Sequence, residues 1–217
     1  MRLTRALLTC GVTGPVLFLT VVLIEGATRP GYSAWRNAGS QLALGDGGWV
    51  QTINFFVAGA LLLAFAVGLQ RALPSGPGSV WAPRLAAGIG LCLVLLGIFP
   101  VNPGLGYPPG VQVTYSLHGA VHFLVGTLLF GQLTALCFVM ARRLTTGAFW
   151  SRAVGVVVPV FYVVTTVVAA ADPAGTGPAA WDGVLQRIGI FSGFGWLSLV
   201  AVWLSATHWP RRQASWR

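Results

Sequence analysis

Apolar residues in this chain come in long unbroken runs. They follow neither the three-and-four spacing of an amphipathic helix nor the alternation of a half-buried strand. Six runs, at about residues 6–25, 49–69, 85–101, 115–140, 153–171 and 184–207, have the length that crosses a bilayer as a helix, roughly 17–25 residues. The segments between them are Thr28–Gly48, Pro74–Pro83, Asn102–Gly110, Thr145–Gly147 and Asp172–Gly183. They are rich in glycine, proline and small polar residues that end helices and form turns. The pattern predicts an all-α polytopic membrane protein: a six-transmembrane-helix bundle forming one integral membrane domain over residues 1–217. The first run is expected to be a retained helix, because it is long for a signal peptide and Glu25 stands where cleavage needs a small residue.

Composition agrees. The chain is 55% hydrophobic and 8% charged, with mean hydropathy +0.77, whereas a soluble domain carries about 25% charged residues. An ordinary soluble enzyme, a disordered tail and a coiled coil are excluded, since so few charges cannot cover a globular surface. The net charge of +9 does not indicate nucleic acid, because the basic residues are all arginines, placed in ones and twos between apolar runs. The absence of lysine fits a GC-rich bacterial genome.

The arginines instead set orientation. With six helices and the N-terminus in the cytoplasm, Arg2, Arg5, Arg71, Arg84, Arg142, Arg143, Arg152, Arg211, Arg212 and Arg217 fall on the cytoplasmic side, against Arg29, Arg36 and Arg187 outside. All four acids (Glu25, Asp46, Asp172, Asp182) fall outside. This is the positive-inside pattern of a multi-pass cell-membrane protein with both termini cytoplasmic. Tryptophans 35, 49 and 181 mark one interface, and 81, 150, 209 and 216 the other. Cys10, Cys92 and Cys137 lie within apolar runs and are expected to act as small hydrophobes. Gly11, Gly14, Gly88, Gly119, Gly126, Gly189 and Gly193 are expected where helices approach closely.

Polar residues concentrate toward the outer half. His118 and His122 are four apart and share a face of the fourth helix. Glu25 ends the first helix, Asn37, Ser40 and Gln41 precede the second, Gln51 and Asn54 lie within it, and Gln186 and Arg187 open the sixth. Polar groups at membrane depth need partners or a wet cavity, so Glu25, Ser40, Gln51, Asn54, His118, His122 and Arg187 are expected to converge on an outward-facing pocket. Both imidazoles are expected to face the bundle interior. Glu25 is expected to pair with Arg29 or with Arg187. Residues 33–44 are expected to fold back as an ordered cap, with Ser40 near the second helix. Two histidines at this spacing can share a metal, but HGAVH lacks the glutamate of HExxH and a third ligand is not evident. No metal or other cofactor is therefore expected.

The function expected from these groups is binding or transport of a lipid or small molecule. Two alternatives are a metal-assisted membrane hydrolase using His118 and His122, and a structural subunit of a membrane complex. The partners are the lipid bilayer and that ligand, not nucleic acid, and the oligomeric state stays open.

Several stretches resemble one family: EGATRPGY at 25–32, NAGSQLALG at 37–45, NFFVAG at 54–59, FPVNP at 99–103, YPPG at 107–110 and HGAVH at 118–122. The chain is similar, over about Gly11–Leu204, to the prokaryotic multi-pass membrane proteins of domain-of-unknown-function family 998. Asn102 stands where many members carry aspartate, which removes an acid beside the histidines. The resemblance implies a six-helix bundle and no particular reaction.

Overall fold

A computed structural model describes residues 2–207. Six α-helices follow one another: α1 Arg2–Thr28, α2 Trp49–Ala72, α3 Trp81–Ile98, α4 Leu117–Ala141, α5 Ala148–Ala171 and α6 Asp182–Thr207. Each is long and apolar enough to cross a membrane, and the described residues contain no strand. The chain is a multi-pass membrane protein. Helices α1 and α5 run through Pro15 and Pro159 without ending. Side chains such as Leu124, Leu128, Val160, Val163 and Leu199 stay exposed, as they do where the surrounding solvent is hydrocarbon.

The ends of the helices follow local chemistry. Helix α3 stops at Ile98, three residues before the expected end, because Phe99 precedes Pro100 and takes an extended conformation (φ −104°, ψ 102°). Helix α4 starts at Leu117 because Ser116 caps it, its hydroxyl accepting from the Gly119 amide at 3.0 Å. Helices α1 and α5 begin earlier than the apolar runs did, at Arg2 and Ala148, since the flanking residues, with Arg2 and Arg5 in α1 and Trp150 and Arg152 in α5, continue the helix into the interface.

Consecutive helices pack against each other and α6 returns to α1, closing a ring. With six passes, the start of α1 and the end of α6 lie at one end, here the terminal end; residues 29–48, 99–116 and 172–181 crown the other, the loop-rich end. Trp35, Trp49 and Trp181 are exposed at the loop-rich end and Trp81 and Trp150 at the terminal end; Trp209 and Trp216 lie outside the described residues, as do Arg211, Arg212 and Arg217. Toward the terminal end the ring is filled. Phe65 and Leu69 of α2 meet Leu136 and Met140 of α4 and Trp196 and Leu197 of α6, all buried. The Trp196 indole N–H donates to the Ser151 hydroxyl at 2.9 Å, so the plug leaves that donor satisfied.

In a bilayer, helix association rests on close packing, since lipid is as apolar as leucine. The closest approach is between α2 and α3. A Cβ on Gly59 would stand 2.8 Å from the Gly90 carbonyl oxygen, and one on Gly90 would stand 2.9 Å from the Gly59 carbonyl oxygen. Gly11, Gly14, Gly88, Gly189 and Gly193 also sit at helix contacts. Gly119 packs instead against the Asn102 side chain of the α3–α4 loop, and Gly126 has open space beside it. Neither glycine therefore serves a contact between helices.

The first loop is an ordered cap, as expected. Residues Gly39–Ala43 form a 3-10 turn, and Asn37, Gln41 and Leu42 are buried. The Asn37 amide donates to the Leu105 carbonyl at 2.7 Å and that of Gln41 to the Gly104 carbonyl at 2.6 Å. Two loops distant in sequence are thus stitched into one lid. The 3-10 turn packs against α1, α2 and α6.

Candidate functional site

Between this lid and the apolar plug lies a cavity of about 460 Å³. It exists because the ring is filled by large side chains only toward its terminal end. Near the lid, α4 and α5 present Gly126, Thr165 and Ala169 to the interior, and these small residues leave the axis unfilled. The floor carries Phe18, Phe55 and Phe194, with Phe18 stacked on Phe194 at 5.2 Å and tilted against Phe55 at 5.7 Å. Lower on the α4–α5 seam, Phe130 stacks on Tyr162 at 4.6 Å, and the Thr127 and Tyr162 hydroxyls are hydrogen-bonded. Above that contact the wall includes Val113, Tyr115 and Phe123, all exposed, and they form a rim open to the surroundings.

Most of the lining is apolar, with polar groups that include Ser40, Asn102, His122, Thr165, Asp182 and Gln186. Several of these are committed to holding the walls. Gln186 accepts from the Gly39 amide at 2.8 Å, tying α6 to the lid. Asn102 accepts from the Ser116 amide and hydroxyl at 3.0 and 2.9 Å, fixing the start of α4. His122 is 7% exposed, and its Nδ1 donates to the Phe99 carbonyl at 2.6 Å. That carbonyl is left without a helical partner where α3 ends, so the imidazole closes α3 while facing the cavity.

The residues expected to converge separate into groups. Ser40 and His122 line the cavity. His118 does not: it is exposed, its ring 5.8 Å from that of Phe99. The expectation that both imidazoles turn inward therefore holds for His122 alone, because one turn along α4 carries His118 to the rim. Glu25 pairs with Arg29, whose guanidinium also donates to the Asp46 and Gly47 carbonyls at 2.7 and 2.8 Å. This clamp pins the lid's far end to α1. Gln51 and Asn54 form a buried pair at 3.1 Å, and Asn54 also donates to the Phe18 carbonyl at 3.2 Å; they join α2 to α1 rather than face the cavity.

Arg187 fastens the lid. It donates to the Ala34, Asn37 and Gly183 carbonyls at 2.8, 3.0 and 2.9 Å and to the Tyr32 hydroxyl at 2.7 Å. Burial pushes the Tyr32 phenol above its ordinary pKa, with Arg187 pulling in the opposite direction. On the opposite loop Asp172 accepts backbone amides from Gly177 at 2.6 Å, Ala179 at 3.2 Å, Thr176 at 3.3 Å and Gly175 at 3.2 Å. These amides, Gly177's foremost, hold its carboxyl below the ordinary range.

Two features of the wall had not been expected. Asp182 is inside, not at the interface, and Thr165 contributes from the middle of an apolar run. The available signal was the spacing of Asp182 and Gln186, four apart at the start of α6 and hence on one face. Among the described residues, no three His, Cys, Asp or Glu side chains converge as metal ligands.

The profile of the DUF998 family, described as a protein of unknown function, matches residues 12–203, and the chain belongs to that family. No curated protein and no solved structure matches it.

Proposed function

We propose that this member of the DUF998 family binds an apolar or amphipathic molecule, a lipid or a small lipid-like compound, in the cavity beneath the lid. The loop-rich end then faces the exterior of the cell membrane and both termini the cytoplasm. The observation that carries this is the cavity itself. Its volume of about 460 Å³ falls within the range of small-molecule sites, about 300–1,000 Å³, and its mostly apolar lining with a few convergent polar groups is the usual character of such sites. The plug of Phe65, Leu136 and Trp196 beneath it favours holding a ligand over passing it through the bundle. Orientation is supported by the arginines: Arg71, Arg84, Arg142, Arg143 and Arg152 flank the terminal end, and the four acids the other.

Native mass spectrometry of the protein released from its own membrane tests the binding. The expected spectrum contains one discrete adduct at one per chain. Bare protein accompanied only by lipids in their bulk proportions would refute the proposal. For orientation, reporters fused within residues 74–83 and 145–147 are expected to read cytoplasmic and one within 102–110 external; a cytoplasmic signal from the last would invert the arrangement.

A further inference from the structure

Asp182 opens α6 and stands in the cavity wall, 3% exposed, with Oδ1 buried and without a hydrogen-bond partner. An acid in the first turn of a helix ordinarily serves the helix, by accepting from its free amides or meeting its dipole. Here the amides of Gly183 and Val184 already donate to the Arg36 and Trp35 carbonyls, at 3.2 and 3.1 Å. The lid, not the carboxylate, caps α6. Nor is Asp182 half of an ion pair: among the described residues the pair is Arg29–Glu25. Arg187 makes no ion pair with Asp182, and its own donors are engaged with the lid, Gly183 and Tyr32. A buried carboxylate with neither cap nor counter-ion is costly, and such groups persist where they take part in function.

We propose that Asp182 is the recognition point for a protonated amine, so that the ligand of the cavity is an apolar molecule bearing an ammonium group. The inference rests on the cavity being a ligand site and names the ligand's chemistry. A molecule that comes from the bilayer gains little by moving its chain from lipid to an apolar wall, since the two are equally apolar. Selection must therefore come from the polar groups of the wall. Of these, His122, Asn102, Gln186 and Thr165 are already bonded to the protein, Ser40 and Thr166 are neutral hydroxyls, and Asp182 is the acid of the wall, with a buried oxygen left without a partner. An ammonium placed against Asp182 satisfies the carboxylate with charge-assisted hydrogen bonds.

The experiment compares octylammonium with octanol, which has the same chain and a neutral head. Binding is read as thermal stabilisation of the full chain in phosphatidylcholine nanodiscs, whose surface has no net charge. In the unsubstituted protein, octylammonium is expected to act at concentrations lower than octanol by about tenfold, the range of a charge-assisted hydrogen bond over a neutral one. In Asp182→Asn, which keeps the size and removes the charge, the preference for octylammonium is expected to disappear. In Asp46→Asn, which removes an exposed acid of the same end, the preference is expected to persist. Equal action of the two probes on the unsubstituted protein, or a preference that survives Asp182→Asn, would overturn the role of Asp182 while leaving the cavity a ligand site. Stabilisation by neither probe would overturn the cavity as a ligand site and this inference with it. The comparison within the unsubstituted protein stands even if a variant folds poorly.

Discussion

In Gly59→Leu little folded protein is expected to survive extraction from the membrane, and in Gly59→Ala the midpoint of denaturation is expected to fall. A Cβ at this position would lie 2.8 Å from the Gly90 carbonyl oxygen and 2.8 Å from Val94 Cγ2. Backbone lies on the far side of the contact, so α2 and α3 must move apart to admit it. Overpacking of this kind costs about 1–3 kcal/mol, and more where backbone must shift. The loss also falls on an interface where close contact is the main attraction, since burial from water contributes nothing between helices in lipid. The control is Gly126→Ala. It too replaces a helical glycine, but its Cβ would meet nothing within 4 Å. There alanine's better helix propensity acts alone, and a stabilisation of up to about 1 kcal/mol is expected. Denaturation of both variants in the same detergent, with midpoints shifted in opposite directions, checks the packing; equal shifts would refute it.

The second large effect concerns ligand binding. Gly126→Trp projects an indole into the cavity from a position where nothing opposes it. The folded bundle is expected to persist, because the new side chain occupies empty space and the helix contacts lie elsewhere. The ligand adduct in the native mass spectrum is expected to disappear, and stabilisation by octanol to fall by at least about tenfold, the scale set by roughly 1.4 kcal/mol of lost affinity. A properly folded Gly126→Trp protein that still carries the adduct would mean that the ligand sits elsewhere.

These two glycines show how far the sequence can be read. The six spans were legible because run length alone decides them, and the ordered first loop because Thr28–Gly48 is long for a simple connection and carries Trp35, Leu42 and Leu44 among turn formers. Ring order was not legible. Helices that are apolar on every side carry no periodic stripe to say which face meets which neighbour, so Gly59 could not be matched with Gly90, nor Gly126 recognised as facing open space. The candidate site was half legible for the same reason. Spacing placed His118 and His122 on one face, but one turn is about 5.4 Å of rise, enough to put one at the rim and the other under the lid. Arg187 and Glu25 were recognised as charges in need of partners; their partners proved to be loop carbonyls as much as side chains, which no residue pattern reveals. Asp182 looks in sequence like an interfacial acid, and only the lid folded above it turns that position into an interior.

The most direct test of the central claim, that the space beneath the lid takes an amphipathic molecule, is the location of a heavy atom. Crystals of the protein soaked with 8-bromo-octanol would report the bromine by its anomalous signal. The account predicts a single strong peak enclosed by Phe55, Thr165 and Ile190. A cavity free of bromine, with peaks confined to the lipid-facing surface of the helices, would contradict it.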